Sequence, residues 1–236
     1  LATVSTADSL SARDPESWSA ALWSAIDADV YPAVLEHPFI TGLTDGSLPP
    51  EAFAHYVAQD VLYLREYARA LTIVSAKAPT LADTAMFARH AAEVHDVELA
   101  LHRDLLPQLG LDADALAAAR PGPTTSAYTS YLLATCYGGS FADGLAAVLP
   151  CYWIYARVGA ELLHRGSPDP RYQSWIDSYG GEEFTTTVLE VLELTDRTGR
   201  TLTPEQERAA RDHFVVTSRY EWMFFDAALR REEWPV

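Results

Sequence analysis

The sequence predicts an all-α chain folded as one domain, and three observations carry that prediction. Apolar residues recur at helical spacing along most of the 236 residues, proline and glycine mark the breaks between runs, and no alternating stretch of strand length survives inspection. No internal repeat, low-complexity tract or linker divides the chain. Hydrophobic residues make up 49% and charged residues 21%, enough apolar side chain for a full core at this length.

The opening "LATVSTADSLSARDPES" is rich in Ser, Ala and Asp and is expected to be a flexible leader over residues 1–15, ahead of a single helical domain over 16–236. Its lack of an initiating Met suggests a product without its first residues. The first helix is expected near "DPESWSAALW", with Asp14 as cap and Pro15 at the first helical position, bending or stopping around Pro32. "GLTDGSLPPEAF" forms a turn, and a long helix follows from about Pro50 to Ala76, ended by "APT". A second long run goes from about Leu81 to Gly110, and a short Ala-rich helix comes after it. "PGPTTSAYTSYLLATCYGG" carries a helix that stops at paired glycines. The next runs from about Phe141 to His164, kinked or restarted at Pro150. After the break "GSPDP", a shorter helix with Trp175 ends at "YGG". The last long helix opens at "TLTPEQE", where Thr203 and Gln206 make a capping box with Pro204 at its first position.

Charge narrows the function. With 17 basic against 33 acidic residues the net charge is −16, which repels a phosphate backbone, and no basic patch offsets it, so nucleic acid is not an expected partner. The two cysteines, Cys136 and Cys151, are too few for a disulfide framework and fit a reducing compartment, which makes the cytoplasm the expected location. The opening has no cationic start or apolar core of signal-peptide length, and no later run is long enough to span a bilayer, so no membrane association is expected. A Gly-rich phosphate loop, "HExxH" and "GxSxG" are all missing.

Helical spacing makes several polar residues anomalous. Tyr56, Asp60, Tyr63 and Tyr67 fall at intervals of four, three and four and line one face, while Arg65, Glu66 and Arg69 supply a separate wet face. The stripe is either a second solvated face or a carboxyl ringed inward by phenols. Glu221 shares a face with Phe214, Ser218, Phe225 and Ala228, which describes either a rim glutamate paired with Arg219 or Arg230, or a desolvated carboxyl with raised proton affinity. Cys151 and Tyr155 are one turn apart, with Val148 and Leu162 on the same face. If a helix restarts at Pro150, the thiol meets the positive end of its dipole and its pKa falls; otherwise Cys151 is an inert core residue. His95, Glu98 and His102 share a face that could hold a metal, yet the Glu-x-x-His spacing of helical di-iron sites is absent, and hydrogen-bonded or solvated histidines are the simpler reading.

The stretches "HPFITGLTDGSLP", "YVAQD" followed by Tyr63, "LPCYWIYARVG", "SYGGEEF", "YEWMFF" and a closing "EEW" carry a resemblance to the TenA family, the thiaminase II enzymes of thiamin salvage. It extends from about His37 to Trp234. The resemblance implies a single all-α domain of the haem-oxygenase-like type, a homotetramer, and no metal or organic cofactor. It also implies Cys151 of "LPCYW" as nucleophile, leaving Cys136 outside the pattern, with Asp60, Tyr63, Tyr128, Tyr155, Tyr179 and Glu221 as the remaining site residues. With the cysteine present, the hydrolytic branch is the one implied.

The reaction so implied is hydrolysis of 4-amino-5-aminomethyl-2-methylpyrimidine, and of thiamin, to 4-amino-5-hydroxymethyl-2-methylpyrimidine. Cys151 adds to the ring, Glu221 protonates a ring nitrogen, and Asp60 accepts from the 4-amino group or deprotonates the thiol. The four tyrosines offer flat apolar faces and hydroxyls to a heteroaromatic ring. An oxidative enzyme of the same fold and a non-catalytic pyrimidine-binding protein are the alternatives, because fold alone does not fix function.

Overall fold

The computed structural model describes residues 6–100, 105–111, 114 and 118–236. Among them are eleven α-helices and no strand: α1 (Thr6–Ser11), α2 (Trp18–Trp23), α3 (Val30–Leu35), α4 (Pro38–Asp45), α5 (Pro50–Lys77), α6 (Leu81–Ala100), α7 (Pro123–Gly138), α8 (Phe141–Leu163), α9 (Pro170–Gly180), α10 (Glu182–Gly199) and α11 (Pro204–Arg230). A 3-10 turn over Leu106–Leu109 follows α6. The expected Ala-rich helix near residues 112–119 lies largely outside the described residues.

Long helices begin and end where proline and capping chemistry dictate. Pro50 opens α5 at a position whose N–H would have no partner, and Ala78, held extended ahead of Pro79, closes it. Ser140 and Asp143 form a capping box at α8, and Thr203 and Gln206 form the expected one at α11. The N-terminal third departs from expectation. Asp14 does not cap a helix, because its side chain accepts from the Glu16 N–H in a local turn; Ser17 caps α2 instead, accepting from Ala20. The single expected helix breaks into α2 and α3, with Asp29 capping the second. Pro32 sits in the first turn of α3, where a missing N–H costs nothing.

The expected leader is not featureless. Residues Thr6–Ser11 are helical, Leu10 is fully buried, and its carbonyl accepts a hydrogen bond from the Trp153 indole at 3.3 Å. Arg13 pairs with Asp196, fastening this segment to α10.

Helix α8 forms the centre of the molecule, with α11, α9, α7, α10 and α5 packed around it and most of its residues buried. Its small residues permit that crowding. A Cβ on Gly159 would stand 2.4 Å from the Tyr179 carbonyl carbon, so only glycine lets the end of α9 cross here. Helix α5 pairs with α6 on one side and with α7 and α11 on the other. Among the described residues no helix is long and apolar enough to cross a membrane.

Candidate active site

Helix α5 turns Tyr56, Asp60, Tyr63 and Tyr67 inward. All four are buried, with Asp60 only 6% exposed, so the solvated-stripe reading fails. Facing them, α8 contributes Cys151 and Tyr155, α7 Tyr128, α9 Tyr179 and α11 Glu221. The seven residues singled out in the sequence converge on one enclosure. Tyr63 and Tyr128 stand with ring centroids 4.9 Å apart, Tyr155 and Tyr179 at 4.8 Å, and the Tyr56 and Tyr155 hydroxyls meet at 3.4 Å.

Glu221 is 1% exposed and accepts from the Tyr128 hydroxyl at 2.5 Å through Oε1. Among the described residues no arginine pairs with it, and Arg230 pairs with Asp226 and Glu232, so the rim reading fails too. Burial lifts the Glu221 carboxyl to about 8, the bond from Tyr128 opposes that rise, and the charge of Asp60 adds to it. Burial alone lifts Asp60 to about 7. No hydrogen bond to the Asp60 carboxyl occurs among the described residues, and the buried Tyr63 hydroxyl likewise has no partner. Buried polar groups without partners are costly. Asp60 and Tyr63 both lie beside the Cys151 thiol.

Helix α8 runs unbroken through Pro150, so no second helix starts there and Cys151 does not sit at a positive dipole end. The expected lowering of its pKa is corrected accordingly. Burial pushes the thiol well above its ordinary value and the charge of Glu221 pushes it further, while the Tyr63 and Tyr67 hydroxyls beside it act the other way. Cys151 nevertheless keeps partial access, whereas Cys136 is buried and its thiol is pushed up to about 12 by burial. Burial also holds Tyr63, Tyr128, Tyr155 and Tyr179 far above the ordinary phenol value, so all four keep their protons.

Several residues around the site were not picked out from the sequence. Phe224 closes one wall against Tyr56 and Tyr63, and Trp175 donates to the Tyr56 hydroxyl at 3.3 Å. Phe224 lies three residues after Glu221 on the same face, a spacing that points to it. Trp175 carries no comparable signal. Of the histidine cluster, His95 is exposed, and the Glu98 side chain and His102 lie outside the described residues. Among the described residues no group of three metal-ligating side chains lies close enough to hold an ion. A wide groove of about 1060 Å³ opens elsewhere, between the start of α5 and the C-terminal tail, and includes none of these seven residues.

Fold and site together define an all-helical protein with one accessible thiol and two proton-holding carboxyls in an aromatic enclosure. The chain belongs to the TENA/THI-4/PQQC family, whose model matches residues 28–231. It is 39% identical over 198 residues to the aminopyrimidine aminohydrolase of Bacillus subtilis, covering 84% of each chain. To the aminopyrimidine aminohydrolase of Halalkalibacterium halodurans it is 35% identical, covering 87% of this chain and 92% of that one. Among solved structures, a TenA homologue from P. horikoshii OT3 superposes with a TM-score of 0.82 at 29% identity, covering 91% of this chain and 99% of that one. A domain with a heme oxygenase-like fold from Shewanella denitrificans superposes at 0.68 with 16% identity, over 88% of this chain and 92% of that one, a likeness of fold alone.

Proposed function

We propose that the chain is a hydrolase of thiamin metabolism, an aminopyrimidine aminohydrolase of the thiaminase II type. It converts 4-amino-5-aminomethyl-2-methylpyrimidine, and thiamin, to 4-amino-5-hydroxymethyl-2-methylpyrimidine. The observation that carries the reading is an accessible thiol flanked by two buried carboxyls of raised proton affinity, one of them without a protein partner. The aminohydrolases it resembles supply the substrate class.

In the proposed reaction the Cys151 thiolate adds to a ring carbon and the displaced electron pair moves to a ring nitrogen. Glu221 supplies the proton for that nitrogen. Its Oε1 is occupied by the Tyr128 hydroxyl, so the acid proton belongs on Oε2. Asp60, ionised over more of the neutral range than Glu221, takes the thiol proton or accepts from the 4-amino group; two carboxyls in one enclosure with proton affinities held apart are suited to base and acid roles. Electrons of the dearomatised ring then break the exocyclic C–N bond and form an exocyclic C=C bond, releasing ammonia from the protonated aminomethyl group, or the neutral thiazole from the thiazolium of thiamin. Water adds at that methylene and gives its proton to ionised Asp60, and elimination of the thiolate, with the ring-nitrogen proton returned to Glu221, restores the aromatic ring, Cys151 and the product. Tyr63, Tyr128, Tyr155 and Tyr179 enclose the ring and offer hydroxyl protons to its nitrogens. No cofactor takes part in the proposed cycle. The assembly is proposed to be a homotetramer, as the family resemblance implies, and the two free cysteines fit a cytoplasmic enzyme.

The test is to incubate wild-type, Cys151→Ser and Cys136→Ser proteins with each compound, following the hydroxymethyl product by chromatography and mass spectrometry. Product from wild type and Cys136→Ser, none from Cys151→Ser, and intact pyrimidine binding in all three is the expected result. Binding without product in wild type would leave a pyrimidine-binding protein instead.

A further inference from the structure

Tyr67 completes the inward stripe of α5, is 3% exposed, and has no part in the proposed reaction. Its ring stacks on that of Tyr63, with centroids 5.5 Å apart and planes 21° from parallel. The Tyr67 hydroxyl donates to the Val148 carbonyl of α8 at 2.9 Å. Val148 precedes Cys151 by three residues and shares its face of the helix, and the same hydroxyl lies within hydrogen-bonding reach of the Cys151 sulfur. The Tyr152 oxygen is a further neighbour, itself engaged with the His90 Nδ1 at 3.1 Å. A single phenol proton thus has a carbonyl and a thiol to choose between.

The charge on sulfur decides the choice. A protonated thiol is a weak acceptor, so the carbonyl holds the phenol proton, and burial keeps the resting thiol protonated. A thiolate is different, because a hydrogen bond to an ionised acceptor is about twice as strong as one between neutral groups. Leaving Val148 costs little. Helix α8 is unbroken here, so the backbone N–H of Tyr152 reaches the same carbonyl in the helical ladder and the oxygen is not orphaned. The move needs only rotation of the hydroxyl, with the ring still packed between Tyr63 and Tyr152.

We propose that Tyr67 is a further catalytic residue: its hydroxyl rests on the Val148 carbonyl while Cys151 is a thiol and turns onto the sulfur as the thiolate forms. The hydrogen stays on the Tyr67 oxygen throughout, and the thiol proton leaves by the route already described. The turn offsets part of the cost of making an anion where burial and the charges of Glu221 and Asp60 oppose it. The inference rests on the reading of Cys151 as nucleophile, but not on the identity of the substrate. Asp60 and Tyr63 on α5, Tyr128 on α7, Tyr152 on α8, Tyr179 on α9 and Glu221 on α11 also face the thiol. At about pH 9 the phenols keep their protons and both carboxyls are mostly ionised, so the thiol is the group that varies.

The experiment follows alkylation of Cys151 by iodoacetamide at about pH 9 in the whole protein, read by the mass of the Cys151 peptide, which separates it from Cys136. It needs no substrate, so failure here is distinct from failure to turn over either pyrimidine. Tyr67→Phe should raise the thiol midpoint by about one pH unit. That cuts the thiolate about tenfold, the more basic sulfur recovers about threefold of the loss, and alkylation slows about threefold. N-ethylmaleimide, a bulkier thiolate reagent, should slow by the same factor. 3-Fluorotyrosine placed at position 67, a stronger donor of the same shape, should speed both reactions instead. An unchanged rate in Tyr67→Phe overturns the proposal, because the hydroxyl then only ties α5 to α8. Slowing that is greater for N-ethylmaleimide than for iodoacetamide overturns it too, since only the entrance has then changed. If Tyr67→Phe does not fold, the fluorinated protein decides: a rate at or below that of wild type overturns the proposal.

Discussion

Glu221 and Asp60 share one enclosure but hold their protons to different limits, about 8 and about 7. Activity that needs Asp60 ionised and Glu221 protonated rises through about 7, as Asp60 loses its proton, and falls through about 8, as Glu221 loses its own. A bell-shaped profile of kcat/KM centred between them is expected, and Glu221→Gln should lose the alkaline limb along with about 10²–10⁴ of the rate. Tyr63→Phe has a separate signature. It removes a buried hydroxyl that has no protein partner, so thermal stability should hold or rise while kcat/KM falls about tenfold, the worth of one hydrogen bond to a bound ring. At this scale the sequence was informative in an uneven way. Tyr56, Asp60, Tyr63 and Tyr67 declare a shared face through their spacing, but nothing in the spacing says whether that face looks inward. Glu221 is similar: its neighbours Phe214 and Phe225 hint at burial, and only the position of Tyr128 across from it decides the matter.

At the scale of elements, α8 and the end of α9 are locked together at Gly159. Gly159→Ala drives a methyl group into the backbone of Tyr179 and Gly180, and neither can retreat without carrying the Tyr179 ring away from Tyr155. A destabilisation of about 1–3 kcal/mol is expected, read as an earlier denaturant midpoint, together with a loss of turnover that Cys151 alkylation does not share. The long helices were legible because their ends carry strong local chemistry, as at Pro50, Ser140 and Thr203. The short ones were not. Between Asp14 and Pro38 the chain turns several times within a few residues, and several residues there can cap: Ser17 caps α2 and Asp29 caps α3, while Asp14 is held in a local turn. Pro150 misled in the opposite direction, since a helix surrounded by five others continues through a proline that would stop it in isolation.

For the molecule as a whole, two buried carboxyls link stability to pH. The unfolded chain releases the Glu221 proton near its ordinary value of 4.5, whereas the folded chain keeps it to about 8. Folding is therefore favoured by this group below the first value, and that contribution is lost as the pH rises through the second. Glu221→Gln should melt close to wild type near pH 5 and above it near pH 9, by roughly 2–4 °C for each kcal/mol recovered. Light scattering should return four times the chain mass; the mass of one chain would remove the tetramer from the proposal. Assembly was the least legible property, because exposed apolar residues such as Leu81 and Tyr137 look alike whether a second copy or water covers them.

Contacts between distant parts of the chain hold the fold together: Leu10 to Trp153 across 143 residues and, in the enclosure itself, Tyr128 to Glu221 across 93. On the ribosome these partners emerge far apart in time, and α8, which carries the thiol, is made before α11, which covers it. A growing chain thus exposes Cys151 with the reactivity of any free cysteine until α11 has emerged and docked. Oxidative loss of the nucleophile is accordingly a hazard of the newborn chain more than of the finished protein, and cells under oxidant stress should accumulate the damage in newly made copies.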